Sequence, residues 1–210
     1  AQNPKIKTKF FHHEQSAGIA AEVYSKAANI PSICLVTIGP GVANAVAAAF
    51  SCFLNSSPVI FISGAKRSNV LTDYKKQRFS FPQDGDTKSM VSGIVKEFYE
   101  ITNPDDLHTT LTDAFNLAKS GRPGPVWISV PLDVQGIKIE DFSFSELKAP
   151  EKLNIDISAE LQNFINQSKR TIIITGEGTN SVINDSNYNS FVKNINLPFI
   201  TSIGSNHTIS

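Results

Sequence analysis

The chain has 210 residues and a mass of 22.8 kDa, with 19 Lys and Arg against 19 Asp and Glu and 40% hydrophobic residues. That is room for one ordinary domain, or one and a half small ones, with enough apolar side chains for a core. Zero net charge argues against nucleic acid or an anionic membrane surface as partner, because phosphate neutralisation needs clustered Lys and Arg and the one dense basic run lies between Lys5 and Lys9. Cys34 and Cys52 lack CxxC or His-flanked spacing, so neither a disulfide framework nor a zinc site is expected, and both read as buried thiols of a cytosolic protein. No apolar run approaches the roughly 18 residues of a membrane span, and the first residues carry no signal-peptide pattern, so a cytoplasmic location is expected.

Residues 1–8 are polar, and Phe10-Phe11 then run without a turn into His13-Glu14. The other end stops shortly after the strand-like Phe199-Ile200-Thr201 and the Gly204 turn, and both termini are expected to be cuts within a longer polypeptide. An alanine-rich segment predicts a helix over 15–28, stopped at Asn29-Ile30-Pro31. Residues 33–38 form an apolar, β-branched run that predicts a strand buried on both faces, and 59–62 and 126–130 read the same way. Helices are predicted over 42–54, from the spacing of Val46, Phe50, Phe53 and Leu54, and over 104–120, where Pro104 and two aspartates open the first turn and Gly121 ends it. Strand and helix alternate. The expectation is an α/β fold, a mostly parallel sheet with helices on both faces, over residues 1–138.

After Pro131-Leu132-Asp133 the pattern changes. Residues 139–155 have charges, scattered Phe and no period, and read as a linker. From 156 to 210, a helix over 158–167, a strand over 171–175, a helix over 186–195 and a strand over 198–202 read as the beginning of a second, incomplete α/β domain, since two strands cannot bury a sheet of their own.

Gly39-Pro40-Gly41 follows a predicted strand and opens a helix. It reads either as a structural tight turn or as a place where a ligand approaches the backbone, but it is no Walker loop and Asn44 stands where a dinucleotide fingerprint has its third glycine. Gly176-Glu177-Gly178 is a second such turn, again without the third glycine. Glu14 lies where an extended segment meets the first helix. It reads either as a capping acid favoured by the macrodipole or as a functional carboxylate, and Ala17, Gly18, Ala20 and Ala21 leave room near it for a flat ligand or a docked chain. The adjacent His12 and His13 point to different faces in any regular structure, so no metal site is expected within the chain. In the rigid turn from Gly121 to Pro125, Arg122 is the one functional candidate.

Taken in order, His13-Glu14-Gln15, Leu35-Val36-Thr37 with Gly39-Pro40-Gly41 and Asn44, Ser57-Pro58-Val59, the turn from Ser120 to Val126, and Val130-Pro131-Leu132-Asp133-Val134-Gln135 resemble the pyrimidine-binding domain of thiamine-diphosphate enzymes of the acetolactate synthase type. The resemblance covers about residues 10 to 140, and it continues more weakly into that family's central domain. It implies the thiamine-diphosphate-binding fold, and a decarboxylase or carboligase acting on pyruvate or a similar 2-keto acid. Glu14 would match the glutamate that hydrogen-bonds a ring nitrogen of the aminopyrimidine, with the acid's pKa raised by burial toward the range where sharing a proton is easy. Gly39, Pro40 and Gly41 would pack on the ring, with Asn44 behind them. The family's active-site glutamine matches Gln83 when aligned backward from Ser89, Val91, Ile94 and Lys96, and falls near Gln77 when aligned forward from Thr72-Asp73; Gln83 is preferred.

The chain departs from the family at His12, Ile38 and Ala43, and residues 74–82 hold extra residues. Some members also bind FAD, whose phosphates Glu177 would face unfavourably. The Gly-Asp-Gly motif that holds the diphosphate and Mg²⁺ in a C-terminal domain is absent, since Asp84-Gly85-Asp86 has the letters in another order. The resemblance therefore implies a homodimer or homotetramer with the cofactor at the subunit interface. A reading from another class is a nucleotide-binding or regulatory α/β module of the same shape without catalysis.

Overall fold

The computed structural model describes residues 6–70, 73–79, 82–139, 158–182 and 186–203. The chain divides into two compact units, Ala1–Glu151 and Lys152–Ser210. Apart from residue 139, the expected linker lies outside the described residues.

In the first unit, helix α1 (Glu14–Ala28) is opened by His13, whose Nδ1 accepts from the Gln15 N–H at 3.2 Å, and closed by Asn29 in a left-handed conformation (φ 54°). Strand β1 (Ser32–Val36) follows, then α2 (Pro40–Leu54), β2 (Val59–Ala65), the short α3 (Thr87–Val91), β3 (Phe98–Glu100), a 3₁₀ turn (Pro104–Asp106) leading into α4 (Leu107–Lys119), β4 (Val126–Pro131) and the short α5 (Leu132–Gln135). The four strands form one all-parallel sheet in the order β1-β2-β4-β3. This is the expected α/β class.

Helices cover both faces. On one, α1 and α2 pack Ala21, Val42, Ala45, Ala48, Ala49 and Cys52 against Cys34, Val36, Val59, Phe61 and Trp127. Phe61 and Trp127, paired in register on β2 and β4, stack at 5.1 Å, and the indole Nε1 donates to Ser63 Oγ at 3.0 Å. On the other face α4 lays Ala114 and Ala118 over Ile60, Val126 and Ile128. Both thiols are buried and free; burial pushes that of Cys34 up to about 11 and that of Cys52 higher still.

The strand expectations need two corrections. β1 is buried on one face only: Cys34 and Val36 are inside, whereas Ile33 and Leu35 are 62% and 75% exposed. The reason is that α4 sits over β2 and β4 and leaves the corresponding face of β1 open. The sheet also holds a strand that the apolar runs did not signal, β3, which is three residues long and carries Glu100. Three residues are too few to show a pattern, and the pairing to β4 is what makes them a strand.

A buried carboxylate ties the helical layer together. Glu22 of α1 accepts from Ser51 Oγ (2.7 Å) and Asn55 Nδ2 (2.8 Å) of the α2 end and from Ser57 Oγ (3.2 Å) before β2, with Lys26 Nζ at 3.8 Å. A carboxylate this deep is tolerable only because its oxygens are saturated with donors.

In the second unit, α6 (Ser158–Gln167), β5 (Ile173–Thr175), a 3₁₀ turn (Glu177–Ser181), α7 (Ser186–Asn194) and β6 (Phe199–Thr201) include a two-stranded parallel sheet. Ile174 and Ile200 remain largely exposed on it. No helix among the described residues is long and apolar enough to cross a membrane.

Candidate active site

The C-terminal end of β1 and the two helix starts beside it bring together residues far apart in sequence. Glu14 occupies the first position of α1, and its Oε2 accepts from Asn44 Nδ2, at the start of the second turn of α2, at 3.0 Å. His13, not Glu14, makes the capping hydrogen bond of α1, which leaves the carboxylate to the inter-helix contact. The two helices approach closely because Gly18, one turn after Glu14, faces Ala48, one turn after Asn44; a Cβ on Gly18 would lie 2.4 Å from that of Ala48. The small residues near Glu14 thus serve helix packing at Gly18.

The turn into α2 is equally tight. Gly39 has φ +65° and ψ −113°, a backbone shape that glycine alone enters freely, and Pro40 follows at the first helical position. A Cβ on Gly39 would stand 2.1 Å from the carbonyl oxygen of Gln83 and 3.1 Å from its Cβ. A Cβ on Gly41 would meet Thr37 Cγ2 at 2.6 Å and lie 3.4 Å from Glu14 Oε1. The glycines therefore let the Gln83 backbone, the β1 end and the Glu14 carboxylate close around one small space.

Of the two glutamines the sequence offered, Gln83 lies against this turn, with a left-handed φ of 62° unusual for a residue with a Cβ. Gln77 belongs to a turn in which its N–H donates to Asp73 O. Asp86 caps α3 by accepting from the Ser89 N–H, so Asp84-Gly85-Asp86 belongs to a loop and helix start.

The expectation that burial raises the Glu14 pKa is overturned. Its own backbone N–H at the helix start, then the Asn44 amide and the nearby His13, hold the carboxyl below its ordinary value, and the side chain is only half-buried. Arg122, the functional candidate of its turn, proves to be an anchor: its Nε donates to Ser56 Oγ at 2.7 Å and a terminal nitrogen to Leu54 O at 3.0 Å, closing the end of α2.

Sequence reasoning missed one polar group beside the site. Lys66, just after β2, donates to Asp84 Oδ2 (3.2 Å) and to the Tyr74 hydroxyl (3.3 Å), and that hydroxyl donates to Asp84 Oδ1 (2.6 Å). The three help line a cavity of about 280 Å³ at the C-terminal ends of β2 and β4. Loop residues 66, 74 and 84 share no period, so only the fold unites them. Among the described residues no group of three or more His, Cys, Asp and Glu could hold a metal ion.

Residues 1–90 match the family described as thiamine pyrophosphate enzyme, N-terminal TPP binding domain. The chain is 29% identical over 208 residues to the acetolactate synthase large subunit of Corynebacterium glutamicum, covering 95% of this chain and 32% of that protein. It is 31% identical over 196 residues to the acetolactate synthase large subunit of Lactococcus lactis, with 91% and 33% covered. It is also 32% identical over 182 residues to the acetolactate synthase isozyme 1 large subunit of Escherichia coli, with 85% and 31% covered. The chain thus spans about a third of the length of these curated relatives.

Proposed function

We propose, from the premise that this chain belongs to the thiamine-diphosphate enzymes of the acetolactate synthase type, that it supplies the pyrimidine-binding half of an active site for 2-keto acid decarboxylation and carboligation. The observation that carries this reading is the cradle of Glu14, Asn44, Gly39-Pro40-Gly41 and Gln83 at the C-terminal end of a parallel sheet, where ligands of open α/β folds bind.

The cradle fits the aminopyrimidine end of the cofactor. Asn44 fixes one carboxylate oxygen of Glu14, and the bare Gly41 leaves space beside the other. Glu14 Oε1 would hold a proton toward a nitrogen of the ring, and residues 39–41 would pack against the ring. Thiamine diphosphate supplies the electron sink for decarboxylation. The chain's own part is to hold that proton at Glu14, to set the ring's angle through residues 39–41, and to bring Gln83 beside the reacting end. Covering the half-buried Glu14 with another surface would move its depressed carboxyl back upward, because desolvation disfavours the ionised form. That cover, the diphosphate and its Mg²⁺ are assigned to a domain outside these 210 residues, brought in by a second copy of the protein. A homo-oligomer, in the cytoplasm, with the cofactor at the subunit interface is therefore part of the proposal, as is the division into a pyrimidine-binding domain over 1–138 and the start of a central domain from 156. Glu177 in the central-domain turn argues against FAD.

The test is calorimetry of the full-length protein with thiamine diphosphate and Mg²⁺, followed by assay of pyruvate consumption. Tight binding with turnover is expected. A protein that binds the cofactor without consuming any 2-keto acid, or does not bind it, would overturn the reading.

A further inference from the structure

We propose that Lys66 and Tyr74, acting through Asp84, are positioning residues that hold Gln83 over the glycine turn. The proposal rests on the reading of Gln83 as an active-site glutamine.

Gln83 is held in a shape it would not adopt alone. A left-handed backbone at a residue with a Cβ is disfavoured and persists only where its surroundings over-determine it. On one side its carbonyl and Cβ abut Gly39. On the other side the next residue, Asp84, buries its side chain almost wholly, 3% exposed, and both carboxylate oxygens receive donors, one from Lys66 Nζ and the other from the Tyr74 hydroxyl. Lys66 also lies over the Tyr74 ring, 4.9 Å from its centre, so the three side chains brace one another. Lys66 stands one residue past Ala65, the last of β2, so the tether starts from the sheet and not from another loop.

The geometry makes this a lever with an arm of one peptide. If Asp84 lets go, the left-handed residue before it is the first to relax, and the Gln83 side chain swings away from the cradle. Displacements of about 1 Å at a reacting group cost on the order of a hundredfold in rate. An ion pair that only fastened a surface loop would have no such link to turnover.

The experiment uses the full-length protein and three variants, Lys66→Met, Lys66→Arg and Tyr74→Phe. Hydrogen exchange by mass spectrometry reads the loop, and steady-state kinetics with pyruvate reads the site. In Lys66→Met, exchange in peptides covering residues 82–86 is expected to rise by about tenfold or more while α1 and α2 peptides stay as protected as in the parent protein. In the same variant kcat should fall by roughly ten- to a hundredfold with the KM for pyruvate changed less than about threefold, because the proposed tether positions Gln83 for the reaction and does not itself bind pyruvate. Lys66→Arg should restore both, since it keeps the charge and the donors, and Tyr74→Phe should fall between. Unchanged exchange at 82–86, or a loosened loop with undiminished kcat, would overturn the proposal. If the parent protein shows no turnover, the functional reading fails, and unchanged exchange would separately refute the tether.

Discussion

Replacing Gly18 by Ala sets two effects against each other. In a helix interior, alanine is favoured over glycine by about 1 kcal/mol. Against this, the new Cβ would lie 2.4 Å from the Ala48 Cβ and 3.2 Å from the Phe61 ring, where carbon atoms rest at about 3.5–4.0 Å. Neither Cβ can rotate away, so the helices must part by roughly 1.1 to 1.6 Å, and overpacking of this kind costs about 1–3 kcal/mol. The balance runs from about zero to about 2 kcal/mol of net destabilisation. The site should suffer more than the fold. Glu14 and Asn44 sit one turn before Gly18 and Ala48, and parting the helices by more than about 0.5 Å takes their 3.0 Å bond beyond hydrogen-bonding range. Trp127 is the one tryptophan and is fully buried against Phe61, so its fluorescence during urea unfolding reports on this core directly. A stability gain near 1 kcal/mol, the value helix propensity alone would give, together with full activity, would refute the packing argument.

Asn44→Ala removes the second-largest influence that lowers the Glu14 pKa, so a carboxyl titration followed by NMR should move upward. Arg122→Ala should cost no more than about 1 kcal/mol and leave turnover unchanged, since its partners are Ser56 and Leu54 at an exposed helix end; urea unfolding and the pyruvate assay check both halves. The Cys34 thiol is pushed up to about 11, so its contribution to stability should be intact below the unfolded thiol's pKa near 8.5 and be lost as pH climbs toward 11; Cys34→Ala should flatten that part of the stability profile. Glu22→Ala would orphan the donors of Ser51, Asn55 and Ser57, and a loss of about 3 kcal/mol or more is expected in urea unfolding.

The sequence was most readable where one element decided its own form. Helix α6 falls on the predicted 158–167, and Gly39-Pro40-Gly41 leads from the expected strand into the expected helix, which begins at Pro40. It was less readable where packing decided. The run at 33–38 looks like a strand covered on both sides, yet nothing in its own residues tells that α4 stops short of it; β3 owes its existence to the neighbouring β4. At the site, Glu14 stood out by its place at a helix start, and the relative positions of Gln83 and the turn appear only in three dimensions, through a carbonyl that fills the space where Gly39 lacks a Cβ. The grouping of Lys66, Tyr74 and Asp84 left no trace in the sequence, because salt bridges between loops obey no spacing.

The central claim, that Glu14 shares a proton with a cofactor ring, is tested most directly by Glu14→Gln in the full-length protein. The amide keeps the shape and can still accept from Asn44, so the free energy of urea unfolding should change by less than about 0.5 kcal/mol. Pyruvate turnover should fall by about a hundred- to ten-thousandfold, the range that a lost acid–base group produces. A folded Glu14→Gln protein with turnover close to that of the parent would contradict the account.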